Sequence, residues 1–237
     1  MPAPPLYIET FIRATPDAVW DHTREPGVHR RWDLRFTAIS ELGPERGPGR
    51  CRHQSFRYAT RVCPGMTIDG RGTTTGEHRR PDGTGASSLR FASAHRFSPI
   101  REGRGYWRYI PTADGVRFLT GYDYAPGFGG RALDRLVRPL MGWATAWSFD
   151  RLRLWLETGA SPERLFGRAA AEAAARVSGV AAMAWLTGSA AITGLAAGTA
   201  LLVPPLPGTP AARRCRRTPP DRRAATPPAA LARLEAP

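Results

Sequence analysis

The sequence predicts an α+β domain, a curved sheet of seven antiparallel strands wrapped around one long C-terminal helix, with a further helical appendage behind it. Three observations predict this. Strand-like runs separated by Gly/Pro turns crowd the region between residues 34 and 127. Short turns join consecutive runs, which makes the sheet antiparallel. One amphipathic stretch, residues 130–157, carries a long apolar stripe that needs a partner surface, and the concave face of the sheet is that surface.

The elements follow in order. Leu6 to Arg13 is short and rich in β-formers, a first strand. Thr15-Pro16-Asp17 then opens a helix: Thr15 is a good N-cap, Pro16 suits the first helical position, and Asp17 meets the positive end of the helix dipole. Pro26-Gly27 ends it, and a second short helix is expected through Val28 to Trp32. Six further strands are read at 34–42, 49–60, 68–78, 87–98, 104–111 and 115–125. Alternation in the 87–98 run places Leu89, Phe91, Ser93, His95 and Phe97 on one face. Thr112 to Gly115 is a turn, so the last two runs form a hairpin in which Phe118, Thr120, Tyr122 and Tyr124 share a face. The long helix, Gly130 to Glu157, repeats Leu133, Leu136, Val137, Leu140, Trp143, Ala144, Trp147, Leu154 and Trp155 at spacings of three and four. Pro139 inside it costs about 3 kcal/mol, which predicts a kink or a broken start near residue 138.

Composition divides the 237 residues into three regions. Residues 1–157 mix aromatic, β-branched and charged residues with turn punctuation, 158–203 are Ala- and Gly-rich and read as helical, and 204–237 are rich in Pro, Arg and Ala and read as a disordered tail. A domain of about 150 residues buries roughly 70% of its unfolded surface, enough for a core that holds a cavity. Every basic side chain is arginine and the net charge is +14, spread along the chain, which favours weak attraction to anionic membranes or nucleic acid. The RNA- and DNA-binding signatures are missing, so no nucleic-acid partner is expected. Cys51, Cys63 and Cys215 are odd in number and far apart, which suits reduced thiols in a cytoplasm. The Pro-rich start lacks an apolar signal core, so secretion is not expected.

The opening Ile-Glu-Thr-Phe-Ile-Arg-Ala-Thr-Pro-Asp-Ala-Val-Trp-Asp-His-Thr-Arg-Glu-Pro-Gly-Val-His-Arg-Arg-Trp-Asp (Ile8 to Asp33) and the closing segment Gly115 to Glu157, with Asp-Tyr-Ala-Pro ahead of the long helix, resemble the START-like (SRPBCC) superfamily. The resemblance covers residues 6–157 and is greatest to the polyketide cyclase/dehydrase or lipid-transport branch. It implies a helix-grip fold with an apolar cavity between sheet and long helix, and a lipid or polyketide-like ligand. That branch has no universal catalytic signature, so no catalytic residue is carried over. Residues 158–237 have no counterpart in the minimal domain.

A helix-grip interior would be lined by aromatic side chains. The expected ligand-binding set is Trp32, Phe56, Tyr58, Phe91, His95, Trp107, Tyr109, Phe118, Tyr122, Trp143 and Trp147, each weighed against plain core packing. His95, read as inward-facing, is either a core histidine or a base. Glu9, Asp150 and Arg151 read as surface salt-bridge residues. Cys51 and His53 share a strand face but two ligands make no metal site, and the five histidines show no i, i+4 pair, so no metal and no cofactor are expected. Val177 to Val203 runs 27 residues without a charge, longer than the roughly 20 that span a bilayer, but Ala and Gly dominate it. One crossing would put the Arg213–Arg217 cluster on the far side, against the positive-inside bias; a hairpin bent near Gly188, or interfacial docking, avoids that. The leading expectation is a cytoplasmic carrier of a hydrophobic molecule, at or anchored in the inner face of the membrane. A polyketide aromatase/cyclase-type enzyme using His95 and Tyr122, and a regulatory interaction module without a ligand, remain alternatives.

Overall fold

The computed structural model describes residues 4–46 and 52–228. Cys51 lies outside the described residues, as does the side chain of His53. The strands are β1 (Leu6–Ile12), β2 (Ala38–Arg46), β3 (Arg52–Cys63), β4 (Met66–Arg79), β5 (Gly85–Ala92), β6 (Ile100–Thr112) and β7 (Gly115–Pro126). They form one sheet in the order β1-β7-β6-β5-β4-β3-β2, antiparallel throughout. The fold is the α+β helix grip expected from the sequence. Helices α1 (Pro16–Arg24) and α2 (Pro26–Trp32) fill the connection between β1 and β2. Thr15 caps α1, its hydroxyl accepting from the Ala18 N–H at 3.3 Å, with Pro16 at the first position.

Helix α3 (Gly130–Thr158) follows β7 and runs on through Pro139. The broken start expected near residue 138 does not occur; Pro139 is exposed, so the disturbed turn faces water. The second half of α3 grips the sheet. Phe149 stacks on Phe118 of β7 with ring centroids 4.6 Å apart, and Trp32 packs against Phe149 at 6.1 Å. The stripe expected to face inward is displaced. Leu136, Leu140 and Trp143 are 67%, 63% and 48% exposed. The inward face is carried instead by Met141, which reaches the hollow, and by buried Thr145, Ser148, Phe149 and Leu152. Thr145 and Ser148 can turn inward because each hydroxyl donates to the carbonyl four residues back, Met141 at 2.8 Å and Ala144 at 2.7 Å.

Beyond α3 the chain forms α4 (Pro162–Thr187) and α5 (Ala190–Leu202), packed as a hairpin. Gly188 makes the bend with φ +58°, a left-handed conformation that glycine adopts without strain. Among the described residues, no helix is long and apolar enough to cross a membrane.

Of residues 204–237, read from composition as disordered, the described 204–228 pack on the domain. Fully buried Asp150 accepts the Ala211 N–H at 2.8 Å and the guanidinia of Arg153 at 2.8 Å and Arg214 at 2.9 Å. Arg216 exchanges two backbone hydrogen bonds with Glu9, 3.0 and 2.8 Å, and so covers the free edge of β1. Buried Cys215 lies between, where burial pushes its thiol up to about 12. A last helix, α6 (Arg222–Ala225), buries Ala224 on the outer face of the sheet with Tyr106, Ile110 and Leu119. This covering segment corrects the reading of Glu9, Asp150 and Arg151 as surface residues. All three are buried: Glu9 accepts from Arg117 at 2.8 Å, and Arg151 donates to the Pro162 carbonyl at 2.9 Å.

Removing one partner of a buried, hydrogen-bonded ion pair costs roughly 3–5 kcal/mol. Asp150→Ala should lose stability on that scale in denaturant melts. It should also open the chain near Arg214 to trypsin while the wild-type protein resists.

Candidate functional site

A cavity of about 330 Å³ lies under α3, between the concave face of the sheet and α2. Its walls are mostly apolar: Phe36, Ile39, Phe56, Ile68, Leu89, Phe91 and Trp107. Aromatic rings of this size would fill the hollow if they stood upright. Two of them lie down instead. A Cβ built on Gly72 would sit 2.2 Å from the Phe56 ring, and one on Gly70 would sit 2.3 Å from the Tyr58 hydroxyl. The glycines of β4 therefore accept the rings of β3 flat against the sheet, and the space above stays open.

The polar end is built by α2 and the turn after it. Asp33 caps the end of α2 and is fully buried. Arg35 grips it side-on, Nε to Oδ1 at 2.9 Å and Nη2 to Oδ2 at 2.6 Å, and Nε2 of His29 contacts Oδ2 at 3.0 Å. Burial alone would raise the Asp33 pKa, but the Arg35 charge and the bonds from His29 and Arg35 hold its carboxyl well below the usual range. Burial lowers the His29 pKa below its ordinary 6.5, against the pull of Asp33, so the ring is neutral near pH 7. Ionised Asp33 can only accept, so Nε2 carries the His29 proton and Nδ1 is left as an acceptor. The ring lines the cavity, stacked on Trp32 at 4.8 Å and edge-on to Phe36 and Trp107. Tyr122 also lines it; burial raises its pKa, and its hydroxyl donates to Thr145 at 2.9 Å, whose own proton goes to Met141.

Of the eleven side chains expected from the sequence, Phe56, Tyr58, Phe91, Trp107 and Tyr122 line the cavity. Trp32, Tyr109, Phe118 and Trp147 are buried core around it rather than lining. Trp32 donates its indole N–H to the His22 carbonyl at 2.8 Å, and the Tyr109 hydroxyl pairs with Thr23 at 2.7 Å. Trp143 faces solvent, for the reason given by the displaced stripe. His95 stands outside the cavity lining. Strand β5 ends at Ala92, and the chain turns through Ser93–Arg101 and Ser98–His95 backbone bonds, both 2.9 Å, so the alternation that aimed His95 inward stops before it. Sequence reading missed His29, Asp33 and Arg35. The signal was there: a His-x-x-x-Asp spacing puts both groups on one helix face. Among the described residues, no three His, Cys, Asp or Glu side chains cluster to hold a metal.

Residues 7–157 match the family model described as polyketide cyclase/dehydrase and lipid transport. The uncharacterized membrane protein YndG of Bacillus subtilis (strain 168) is 44% identical over 164 residues, covering 68% of this chain and 60% of that protein, so the chain spans about three-fifths of its relative's length. Among solved structures, a STAR-related lipid transfer protein fragment from Xanthomonas axonopodis matches with TM-score 0.45 and 20% identity, over 63% of this chain and 84% of that one. The Zhui aromatase/cyclase from Streptomyces sp. R1128 matches with TM-score 0.41 and 14% identity, over 63% of this chain and 96% of that one.

Both shifts at the polar end have one sign. Folded His29 and Asp33 bind protons less readily than the unfolded chain, so stability rises with pH. On acidification, stability should fall below about pH 6.5 as the unfolded chain protonates the histidine, and again below about pH 4 as it protonates the aspartate. His29→Gln should remove the upper phase alone, read as Tm against pH by circular dichroism.

Proposed function

The chain belongs to the polyketide cyclase/dehydrase and lipid transport family, and we propose that it binds and carries a hydrophobic small molecule, lipid or polyketide-like, in the cavity beneath α3. The observation that carries this reading is a mostly apolar hollow of about 330 Å³ kept open by the ring-on-glycine floor. That volume falls within the range of small-molecule sites. The cyclase-type alternative relied on His95 with Tyr122, and His95 stands outside the cavity lining, which leaves that alternative without the base it named. Native mass spectrometry of the full chain purified from cells is the test. An apolar adduct should accompany the wild-type protein and be lost in Leu89→Trp, which fills the hollow. A wild-type protein that arrives empty and takes up no hydrophobic probe would sink the reading.

The proposed place of action is the cytoplasmic face of the membrane, with the α4–α5 hairpin as the contact. Val177 to Val203 carries no charge, and Trp185, Leu195 and Leu201 are 85%, 73% and 83% exposed. Arginines gather at its base: Arg176 donates to the carbonyls of Ala200, Val203 and Pro204, and Arg213 to Val203 at 3.0 Å. The 13 residues of α5 reach only about 20 Å, short of a hydrocarbon core of roughly 30 Å. A hairpin of that length dips into one leaflet and returns, which keeps every arginine on the headgroup side. Each arginine near an anionic surface adds about 1 kcal/mol. The membrane protein named among the relatives supports this reading. The full chain should co-sediment with phosphatidylglycerol vesicles more than with phosphatidylcholine vesicles, and a Trp185→Ser, Leu186→Ser double variant should lose at least half of that binding.

A further inference from the structure

We infer that the cavity takes an apolar molecule bearing a hydroxyl, and that Nδ1 of His29 accepts the hydrogen bond from it. The inference rests on the carrier reading above and names the chemical class of its cargo.

The lining's donors and charges make the case. Arg35 spends its side-on face on Asp33. Arg24 donates to Ser87 at 3.1 Å and pairs with Glu77. Thr60 donates to the Arg35 carbonyl at 2.5 Å, Ser98 to the Ile100 carbonyl at 2.6 Å, and Tyr122 to Thr145. Both lining arginines are thus neutralised by a carboxylate of the protein itself. A carboxylate or phosphate on the ligand would find no uncompensated arginine there.

His29 is different. Its ring is fixed by the stack on Trp32, by the edges of Phe36 and Trp107, and by the bond from Nε2 to Asp33. Nδ1 makes no hydrogen bond among the described residues, on a ring that lines the cavity. A lone pair held in an apolar wall favours a donor and penalises an acceptor. Ketones, ethers and carboxylates present only oxygen lone pairs. A hydroxyl presents a proton, and its apolar remainder is matched by Ile39, Leu89 and Phe91.

The test uses the delipidated full chain and three probes of equal bulk: decanol, nonyl methyl ether and undecane. Binding is followed by titration calorimetry and by nitrogen NMR of the imidazoles. A net hydrogen bond is worth about 0.5–1.5 kcal/mol, so decanol should bind roughly three- to tenfold more tightly than the ether. His29→Phe should bring that ratio close to one. In the wild-type protein decanol, and not the ether, should shift the Nδ1 resonance of His29, a readout that stands even if the variant fails to fold. Equal binding of alcohol and ether, or a Nδ1 resonance that does not move when decanol binds, overturns the inference and leaves the carrier reading intact. Binding of none of the three overturns both.

Discussion

Phe149 stacked on Phe118 is the contact from which the rest of the molecule takes its shape. It fastens the second half of α3 to the sheet, where Ala146, Phe149 and Leu152 are fully buried. From the first half, Gly130 to Met141, Met141 is the α3 side chain that lines the hollow. An aromatic pair adds about 0.5–1.5 kcal/mol beyond the area it buries. Here its position matters more than its strength, because it sets how far along its length the helix touches the strands. Arg138 ties the first half to β7 as well, through Asp123 at 3.0 Å and the Tyr124 carbonyl at 3.2 Å, so the helix roofs the hollow near its middle, at Met141.

Below that roof, the floor and the polar end solve different problems. The floor must be aromatic without being tall, and Gly70 and Gly72 allow Tyr58 and Phe56 to lie flat. The polar end must bury charge without leaving any of it unpaired. Asp33 and Arg35 cancel each other at contact distance, and His29 completes the carboxylate's hydrogen bonds while staying neutral. A buried pair of this kind adds little net stability, since desolvation offsets most of the attraction. Its effect is on orientation: it fixes one imidazole tautomer against a hydrophobic wall.

Much of the fold was legible because it is written locally. The Thr15 cap, the breaks at Pro26 and Gly188, and the alternation in β7 each depend on a few neighbouring residues, and each appears where the sequence puts it. What failed depends on distant partners. Hydropathy chose Leu136, Leu140 and Trp143 as the inward stripe because it cannot know that Thr145 and Ser148 satisfy their hydroxyls within the helix. Alternation carried His95 inward because the end of β5 is set by backbone bonds to other segments. Composition read residues 204–228 as loose, since proline and arginine suit disorder, yet Asp150 organises that segment from 61 residues away. The aromatic lining was half found; the polar end was overlooked because its three residues looked like one more charged turn.

Asp150 and Arg151 are adjacent, and each holds one stem of the α4–α5 hairpin. Arg151 binds the Pro162 carbonyl where the hairpin leaves the domain, and Asp150 binds the Ala211 amide shortly after it comes back. Both feet of the hairpin therefore stand on a single peptide unit of α3. An excursion anchored that way can be lengthened, shortened or replaced over generations while the pocket and the β1 edge keep their geometry.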